Sequence, residues 1–384
     1  MRIVQVAPFY HPVVGGVEEV VKRVAEYMAS RGNEVYVVTY DRLRVSGEGS
    51  LPREETINDV HVIRLKPNVV WSHGTYSTEL PEALRKLKPD VVHVHVWRHP
   101  HVFQVAKLKR LLNFKTVLHM HGPFQTYQQL GVITWLYHRF ADLFPYTRKM
   151  LVSYDRIITL TPFEKNLVIN MLKAPAEKVL IIPNFLDEDF FQKVNQLIIS
   201  KHKRIYKFEE PIALYLGRVS RDRNIELLLK AAKNLHRKAP KLKVLVVGPA
   251  EDNVAKTFRK VQNVKYEGPV YDLEKKAYVY AMSDIFINPT LYESFGVALL
   301  EAEAFGLPCI ITGAGGQLYT APPGLSSLWA EPTPKAFAEA VIKVVYDNEL
   351  YCRLSRGARI WAKLHLANKI IPLYEKLYRE LATN

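Results

Sequence analysis

The chain predicts a two-domain α/β protein, each domain a doubly wound sheet of parallel strands. Three observations carry this expectation. Short apolar runs alternate with helical patterns along the whole chain, the signature of βα units. The 384 residues exceed what one hydrophobic core usually serves. The alternation breaks once, at Pro183-Asn184-Phe185-Leu186-Asp187, before a polar, basic stretch over 192–210 that reads as the connection between domains. This places the first domain at 1–185 and the second at 186–361.

In the first half, strands are expected over 3–7, 34–39, 60–65, 91–96, 116–121, 156–159 and 179–182, each a short Val- and Ile-rich run. Helices fit 17–30, 81–87, 101–112, 127–153 with a break at Pro145, and 162–172. The second series starts at Pro211, with strands over 212–216, 243–247, 264–266, 285–288 and 309–312. Its helices fit 225–238, 252–261, 273–282, 297–305 and 334–347, and two more close the chain over 349–381. Open α/β sheets bind ligands beyond the carboxyl ends of their strands, so two such sheets facing each other would form a cleft.

A hydrophobic fraction of 48% and a charged fraction of 24% define a globular chain. No long charge-free apolar run occurs, and Arg2-Ile3-Val4-Gln5-Val6 enters a strand pattern at once, which argues against a signal peptide or spanning helix. Cys309 and Cys352 are the only cysteines, too few for a disulfide framework, and point to an intracellular protein. The net charge of +15 fits anionic lipid headgroups or phosphorylated substrates. No zinc finger or RNA-binding signature accompanies it, so nucleic acid is the weaker reading.

The most informative stretch is Glu293-Ser294-Phe295-Gly296-Val297-Ala298-Leu299-Leu300-Glu301. Gly296 frees the backbone at a helix start whose N–H groups form an anion site. Glu293 lies on the loop side, and Glu301 about two turns along, roughly 12 Å away at 1.5 Å rise per residue. Such a pair can grip two ends of one long ligand. Arg218, just past a strand end in Gly217-Arg218, and Arg223, just before a helix, can chelate a diphosphate. Gly15-Gly16 opens the first helix and admits a phosphate, although it is not a full dinucleotide fingerprint.

His93 and His95 share one face of a strand, as do His119 and His121, and His121 precedes Gly122 at a strand end. The histidines lack the cysteine and carboxylate spacing of a structural zinc site. Asp187-Glu188-Asp189 is the single Asp-x-Asp, and a solvated loop accounts for it better than a cation site. A basic, aromatic band runs through Lys107, Lys109 and Arg110 and then Trp135, Tyr137, Phe140, Phe144, Tyr146, Arg148 and Lys149. It suits either a lipid interface or a core-packed helix with lysines outside.

Together these residues resemble a retaining glycosyltransferase of family 4, with the GT-B fold. The resemblance rests on Glu293–Glu301, Gly217-Arg218 and Gly15-Gly16, with support from Asp90-Val91-Val92-His93-Val94-His95 and Ile182-Pro183-Asn184. It implies a hexosyltransferase using a sugar-nucleotide donor, held mainly by the second domain, with the acceptor on the first. It implies that the closing helix, about 362–384, returns to the first domain, which suits Trp361 and Tyr374. Arg218 and Arg223 would neutralise the donor diphosphate, and Glu301 would hold the ribose. Glu293 and the backbone of Ser294, Phe295, Gly296 and Val297 would orient the hexose. Gly15 and Gly16 would admit the diphosphate, Val270 would hold the base through its backbone, and His121 would meet the sugar and the reacting centre.

No carboxylate is placed as a nucleophile, so front-face attack is expected, with no metal and no other cofactor. The charge favours a lipid-linked or surface-glycan acceptor and a cytoplasmic enzyme, peripheral on an anionic inner membrane face. A non-hydrolysing sugar-nucleotide epimerase and a non-catalytic sugar-nucleotide-binding protein are the alternatives. Three positions depart from the family pattern: Arg223-Asn224 where Lys-Gly is usual, Phe185 where Gly is usual, and Gln317-Leu318-Tyr319-Thr320 after Gly315-Gly316 in place of Pro-Glu.

Overall fold

The computed structural model describes residues 1–43, 51–71, 74–202, 210–250 and 252–383. They form two compact units: 1–124, 133–184 and 369–384 in the first, 125–132 and 185–368 in the second.

The strands of the first unit are β1 (Arg2–Val6), β2 (Glu34–Tyr40), β3 (Glu54–Ile57), β4 (Val60–Leu65), β5 (Val69–Trp71), β6 (Gly74–Tyr76), β7 (Val91–His95), β8 (Lys115–His119), β9 (Arg156–Thr159) and β10 (Val179–Ile181). Eight of them make one sheet in the order β10-β9-β8-β7-β1-β2-β4-β3. It is parallel except for β3, which pairs antiparallel with β4. The central strands are buried on both faces, as expected when helices cover a parallel sheet. The order reverses between β1 and β7, so the loops after these two strands meet at a topological switch point. The loop after β1 carries Gly15 and Gly16, and helix Gly16–Ser30 follows.

The second unit holds β11 (Ile212–Leu216), β12 (Lys243–Val247), β13 (Val264–Gly268), β14 (Ile285–Asn288), β15 (Cys309–Ile311) and β16 (Ser327–Trp329). They form a parallel sheet in the order β13-β12-β11-β14-β15-β16, with its switch point between β11 and β14. Helix Ile225–Lys238 buries Ile225, Leu228, Ala232 and Leu235 at helical spacing, and its last turn carries His236, Arg237 and Lys238 toward the negative end of the dipole.

Several sequence expectations are corrected. The strand expected to run to His121 stops at His119, because Met120 leads into a turn in which His121 and Gly122 both have positive φ, 56° and 69°. The long helix over 127–153 is three pieces, Tyr127–Leu130, Val132–Leu143 and Pro145–Val152, separated at Gly131 and Phe144. The expected polar connection is helical over Glu188–His202, and its remaining part, 203–209, lies outside the described residues. Asp187-Glu188-Asp189 begins that helix: Asp187 Oδ1 accepts the Asp189 N–H at 2.7 Å and Glu188 Oε1 accepts the Asn368 N–H at 2.6 Å. Strands β3, β5, β6 and β16 were not expected; they are short, and β3 is a charged edge strand, which lacks an apolar run.

The closing helices span Asn348–Leu364 and Ala367–Thr383. Residues from 369 onward belong to the first unit, where Tyr374 is fully buried. Trp361 belongs to the second unit, packed on Tyr319 and His365.

Candidate functional site

In the second unit a pocket of about 160 Å³ opens at the β11/β14 switch point. Tyr215, Leu216 and Gly217 line it from the end of β11, and Phe286 and Asn288 from β14. Arg218, Arg223, Glu293, Gly296, Val297 and Ala298 complete the wall. Four groups singled out in the sequence, two guanidiniums, a carboxylate and a helix start, thus share one hollow.

Each is held by its local fold. Arg223 Nη1 donates to Glu293 Oε2 at 2.6 Å, a partly buried ion pair. Arg218 is exposed and its Nη2 meets Asp222 Oδ2 at 2.9 Å, while its carbonyl accepts the Tyr215 hydroxyl at 2.7 Å. Asn224, where glycine is usual, has φ 53°, a left-handed conformation that asparagine tolerates. Its side chain donates to the Pro289 carbonyl at 3.0 Å, which ties the arginine turn to the loop after β14.

Gly296 has φ 90°, and a Cβ there would lie 2.9 Å from Leu299 Cδ1 and 3.0 Å from Glu293 Cγ. Gly296→Ala should therefore cost about 1–3 kcal/mol through the strained φ and push Glu293 off its position. A melting curve and a transfer assay check this, with transfer falling at temperatures where the variant is still folded. Glu293 is pinned from the other side as well: its carbonyl accepts the Gly316 N–H at 2.7 Å, and Glu293 and Gly315 form a parallel bridge.

Glu301 is buried on helix Val297–Ala304. Its carboxylate is held by Lys276 Nζ at 2.5 Å and the Tyr280 hydroxyl at 2.8 Å. A carboxylate offers about four lone-pair sites, and these two donors use two of them; Glu301 is not among the residues that line the pocket. Ser294 stands between Glu293 and the buried Phe295, whose carbonyl accepts the Thr320 hydroxyl at 2.5 Å. Val270 lies apart from this pocket, in a separate hollow with Tyr278, Val279 and Met282.

Lys276 and Gln317 are the residues that sequence reasoning missed. Lys276 gave no signal, since its partner lies 25 positions away on another helix. Gln317 sits in the segment that departs from the family pattern, fully buried, with Oε1 accepting the Ala314 N–H at 2.9 Å and the Thr312 hydroxyl at 3.1 Å. It knits the loop after β15 to the site.

Gly15, Gly16 and His121 lie within the first unit. Gly16 starts its helix in open space, with nothing within 4 Å of a built Cβ. His121 lies in the turn after β8, which Glu164 braces: the buried carboxylate accepts the Gly122 N–H at 2.8 Å and the Leu160 N–H at 2.7 Å. Burial raises the Glu164 pKa to about 7 against the pull of these two donors. Behind His121 stand His93, His95 and His119, all fully buried. Burial and neighbouring imidazoles hold these three well below the ordinary imidazole value, so they are neutral.

One ring nitrogen from each of these three lies within 4.8 Å of the others, a spacing that a metal ion could use. His95, however, already spends both nitrogens: Nε2 is 2.9 Å from Gln5 Oε1 and Nδ1 is 2.9 Å from His121 Nε2. Ligation by His95 would break one of these bonds.

A doubly wound sheet with an arginine pair and a helix start at its switch point, joined to a second doubly wound unit, defines the class: a GT-B-type protein. The comparisons agree. Residues 14–190 match Glycosyltransferase Family 4, and residues 179–361 match Glycosyl transferases group 1. An uncharacterized glycosyltransferase of Methanocaldococcus jannaschii is 28% identical, covering 90% of each chain. Alpha-monoglucosyldiacylglycerol synthase of Acholeplasma laidlawii is 25% identical, covering 99% of this chain and 97% of the relative. Among solved structures, sucrose-phosphate synthase from Thermosynechococcus elongatus superposes with a TM-score of 0.77 at 22% identity, covering 99% and 98% of the two chains. The Anabaena protein HepE, solved with UDP-glucose, superposes with a TM-score of 0.70 at 14% identity over 100% of both. The chain belongs to the group 1, family 4 glycosyltransferases and is an enzyme of the GT-B type.

Proposed function

We propose that the protein is a retaining hexosyltransferase that moves a hexose from a sugar nucleotide to a hydroxyl of a lipid-linked or cell-surface acceptor. The observation that carries the donor half is the single pocket shared by Arg218, Arg223, Glu293 and the N-terminus of helix Val297–Ala304. Breaking the anomeric carbon–oxygen bond places negative charge on the leaving diphosphate. Two guanidiniums and the helix N–H groups stabilise that charge where it develops. They supply the neutralisation that a cation would otherwise supply, so the reaction is expected to proceed without a metal.

Glu293 is engaged with Arg223 and serves to orient the hexose. Front-face attack follows, with a donor phosphate oxygen taking the acceptor proton. Glu301 holds the ribose hydroxyls with the lone pairs that Lys276 and Tyr280 leave free. Incubation with a panel of sugar nucleotides and lipid extract, read by mass spectrometry with and without EDTA, tests the reading. One donor should be consumed and a glycosylated lipid should appear in both arms. Free epimer in the absence of acceptor, or a requirement for metal, would overturn it.

The acceptor half is supported by helix Val132–Leu143, whose amphipathicity is inverted. Its one buried residue is a charged one, Asp142, which accepts from Trp97 Nε1 at 3.0 Å and from Arg98 Nε and Nη2 at 2.9 and 2.6 Å. Ile133, nine residues earlier and half a turn round the helix at 3.6 residues per turn, is 85% exposed. Leu136, Tyr137, Phe140 and Leu143 share that outer face, and Phe144 and Tyr146 extend it.

An apolar face turned outward by a buried ion pair, with Lys149 exposed nearby, fits the interface of an anionic bilayer. The name of the Acholeplasma relative, a glucosylated-diacylglycerol synthase, points the same way. Among the described residues no helix is long and apolar enough to cross a membrane; the attachment we propose is peripheral, on the inner face. The double variant I133D/F140D should lower sedimentation with phosphatidylglycerol vesicles at least tenfold, since each large side chain buried in lipid is worth about 1.5–3 kcal/mol. Unchanged binding would remove the membrane half of the proposal.

A further inference from the structure

We propose that Gln5 and His95 are positioning residues that set the tautomer of His121, so that its Nδ1 is a bare acceptor for a substrate hydroxyl. The inference rests on the glycosyltransferase reading, in which His121 meets a hydroxyl-rich ligand. It starts from one backbone carbonyl. Gln5, fully buried on β1, places Nε2 3.3 Å from the Val21 carbonyl, and a carbonyl can only accept. The Gln5 amide is therefore oriented, and its Oε1 is the atom facing His95 Nε2 at 2.9 Å. That oxygen also only accepts, so His95 carries its proton on Nε2.

Burial keeps His95 neutral, which leaves its Nδ1 with a lone pair. His121 Nε2, 2.9 Å away, must donate to it. His121 is neutral as well, held by burial at about 3, so its Nδ1 carries no proton. Every step has one solution, because the Val21 carbonyl and the Gln5 oxygen only accept and each neutral imidazole carries a single proton.

The chain of bonds gives His121 a chemical preference. A bare Nδ1 accepts from the O–H of a sugar or acceptor and has nothing to give to a carboxylate or phosphate oxygen. His121 lies in a turn with partial exposure, and no protein partner for Nδ1 is found among the described residues. The positive φ of His121 and Gly122 and the Glu164 brace hold the ring where the His95 bond can form.

Two measurements on the full-length protein test this. In nitrogen-15 histidine spectra, His121, assigned by comparison with a His121→Asn variant, should show a protonated Nε2 and an unprotonated Nδ1. His95→Leu, which removes the acceptor, should let the His121 resonances move toward a tautomer mixture. It should also lower kcat about tenfold, the scale of one lost hydrogen bond, with donor KM changed less than twofold. His95→Gln, which offers an amide oxygen to the same N–H, should restore the tautomer and most of the rate.

Should His95→Leu fail to fold, Gln5→Met releases the His95 tautomer and carries the same expectation. A proton on Nδ1 of His121 in the unaltered protein overturns the inference, as does an unmoved spectrum in the folded variants. Stoichiometric zinc in the purified protein with His95 as a ligand overturns it too. The spectra report on the tautomer with no substrate present, so failure of the transfer reading is a separate result.

Discussion

Between pH 6.5 and pH 5 the protein should lose stability steeply, and its first unit should be the part that unfolds. Burial holds His93, His95 and His119 well below the ordinary imidazole value, His101 at about 4 and His121 at about 3. In the unfolded chain the same imidazoles take up protons near pH 6.5. Below that pH the unfolded state binds more protons than the native state, so stability falls as pH falls. The contribution is whole above about pH 6.5 and is lost progressively toward the folded-state values.

Each such group steepens the fall by up to about 1.4 kcal/mol per pH unit, against a domain stability of about 5–15 kcal/mol. Glu164 acts in the opposite sense. Burial raises it to about 7, so its stabilising share is present below about pH 4.5 and is lost as pH rises through 7. One carboxyl cannot offset five imidazoles.

Urea unfolding followed by circular dichroism at pH 7.5, 6.5 and 5.5 checks this: the midpoint should drop at each step. His119 has both ring nitrogens buried without a partner, so His119→Leu removes a titrating group and breaks no hydrogen bond. That variant should show a shallower slope and be more stable than the unaltered chain at pH 5.5. A flat midpoint across this range would show that the histidines are not buried in the neutral form.

Glu293→Ala should lower transfer by about 10²–10³-fold, the scale of one lost preorganised transition-state contact, while donor binding stays within a few-fold. The carboxylate is held by Arg223 at 2.6 Å and the backbone beneath it by the Gly316 N–H on the Glu293 backbone carbonyl, so its position is set before substrate arrives. Removing it strips the hexose of its orienting group and leaves a partly buried Arg223 without its counter-charge. Arg218→Ala should weaken both binding and turnover, because that guanidinium is exposed and would meet the diphosphate in the ground state as well as in the transition state. Calorimetry with the nucleotide diphosphate and a transfer assay separate the two effects. Full transfer by both variants would sink the site assignment.

Much of this site was legible in the sequence. Gly296 between two glutamates, and Gly217-Arg218 after an apolar run, mark local backbone events: a strand end, a turn with positive φ, a helix start. Such events depend on a few neighbouring residues. The identities that departed from the family pattern were legible only afterwards. Asn224 proves to occupy a left-handed position, and Gln317 to be a buried cross-brace. The basic aromatic band was ambiguous for a physical reason: periodicity says that a helix has an apolar face but not which way it turns. The outward turn follows from Asp142, 44 positions from its partner Arg98.

The sequence by itself determined the strand and helix alternation, the two-unit organisation, and the residue types of the pocket at the β11/β14 switch point. Hydrophobic period and turn chemistry are local, and they survive in a linear reading. The tertiary structure alone decided which side chains meet: Lys276 with Glu301, Glu164 under the His121 turn, Gln5 behind His95. These pairs come from different elements, and only the register of the sheet and the packing of its helices bring them within hydrogen-bonding distance. Protonation followed from the same source, because a histidine's charge is set by what surrounds it and not by its neighbours along the chain.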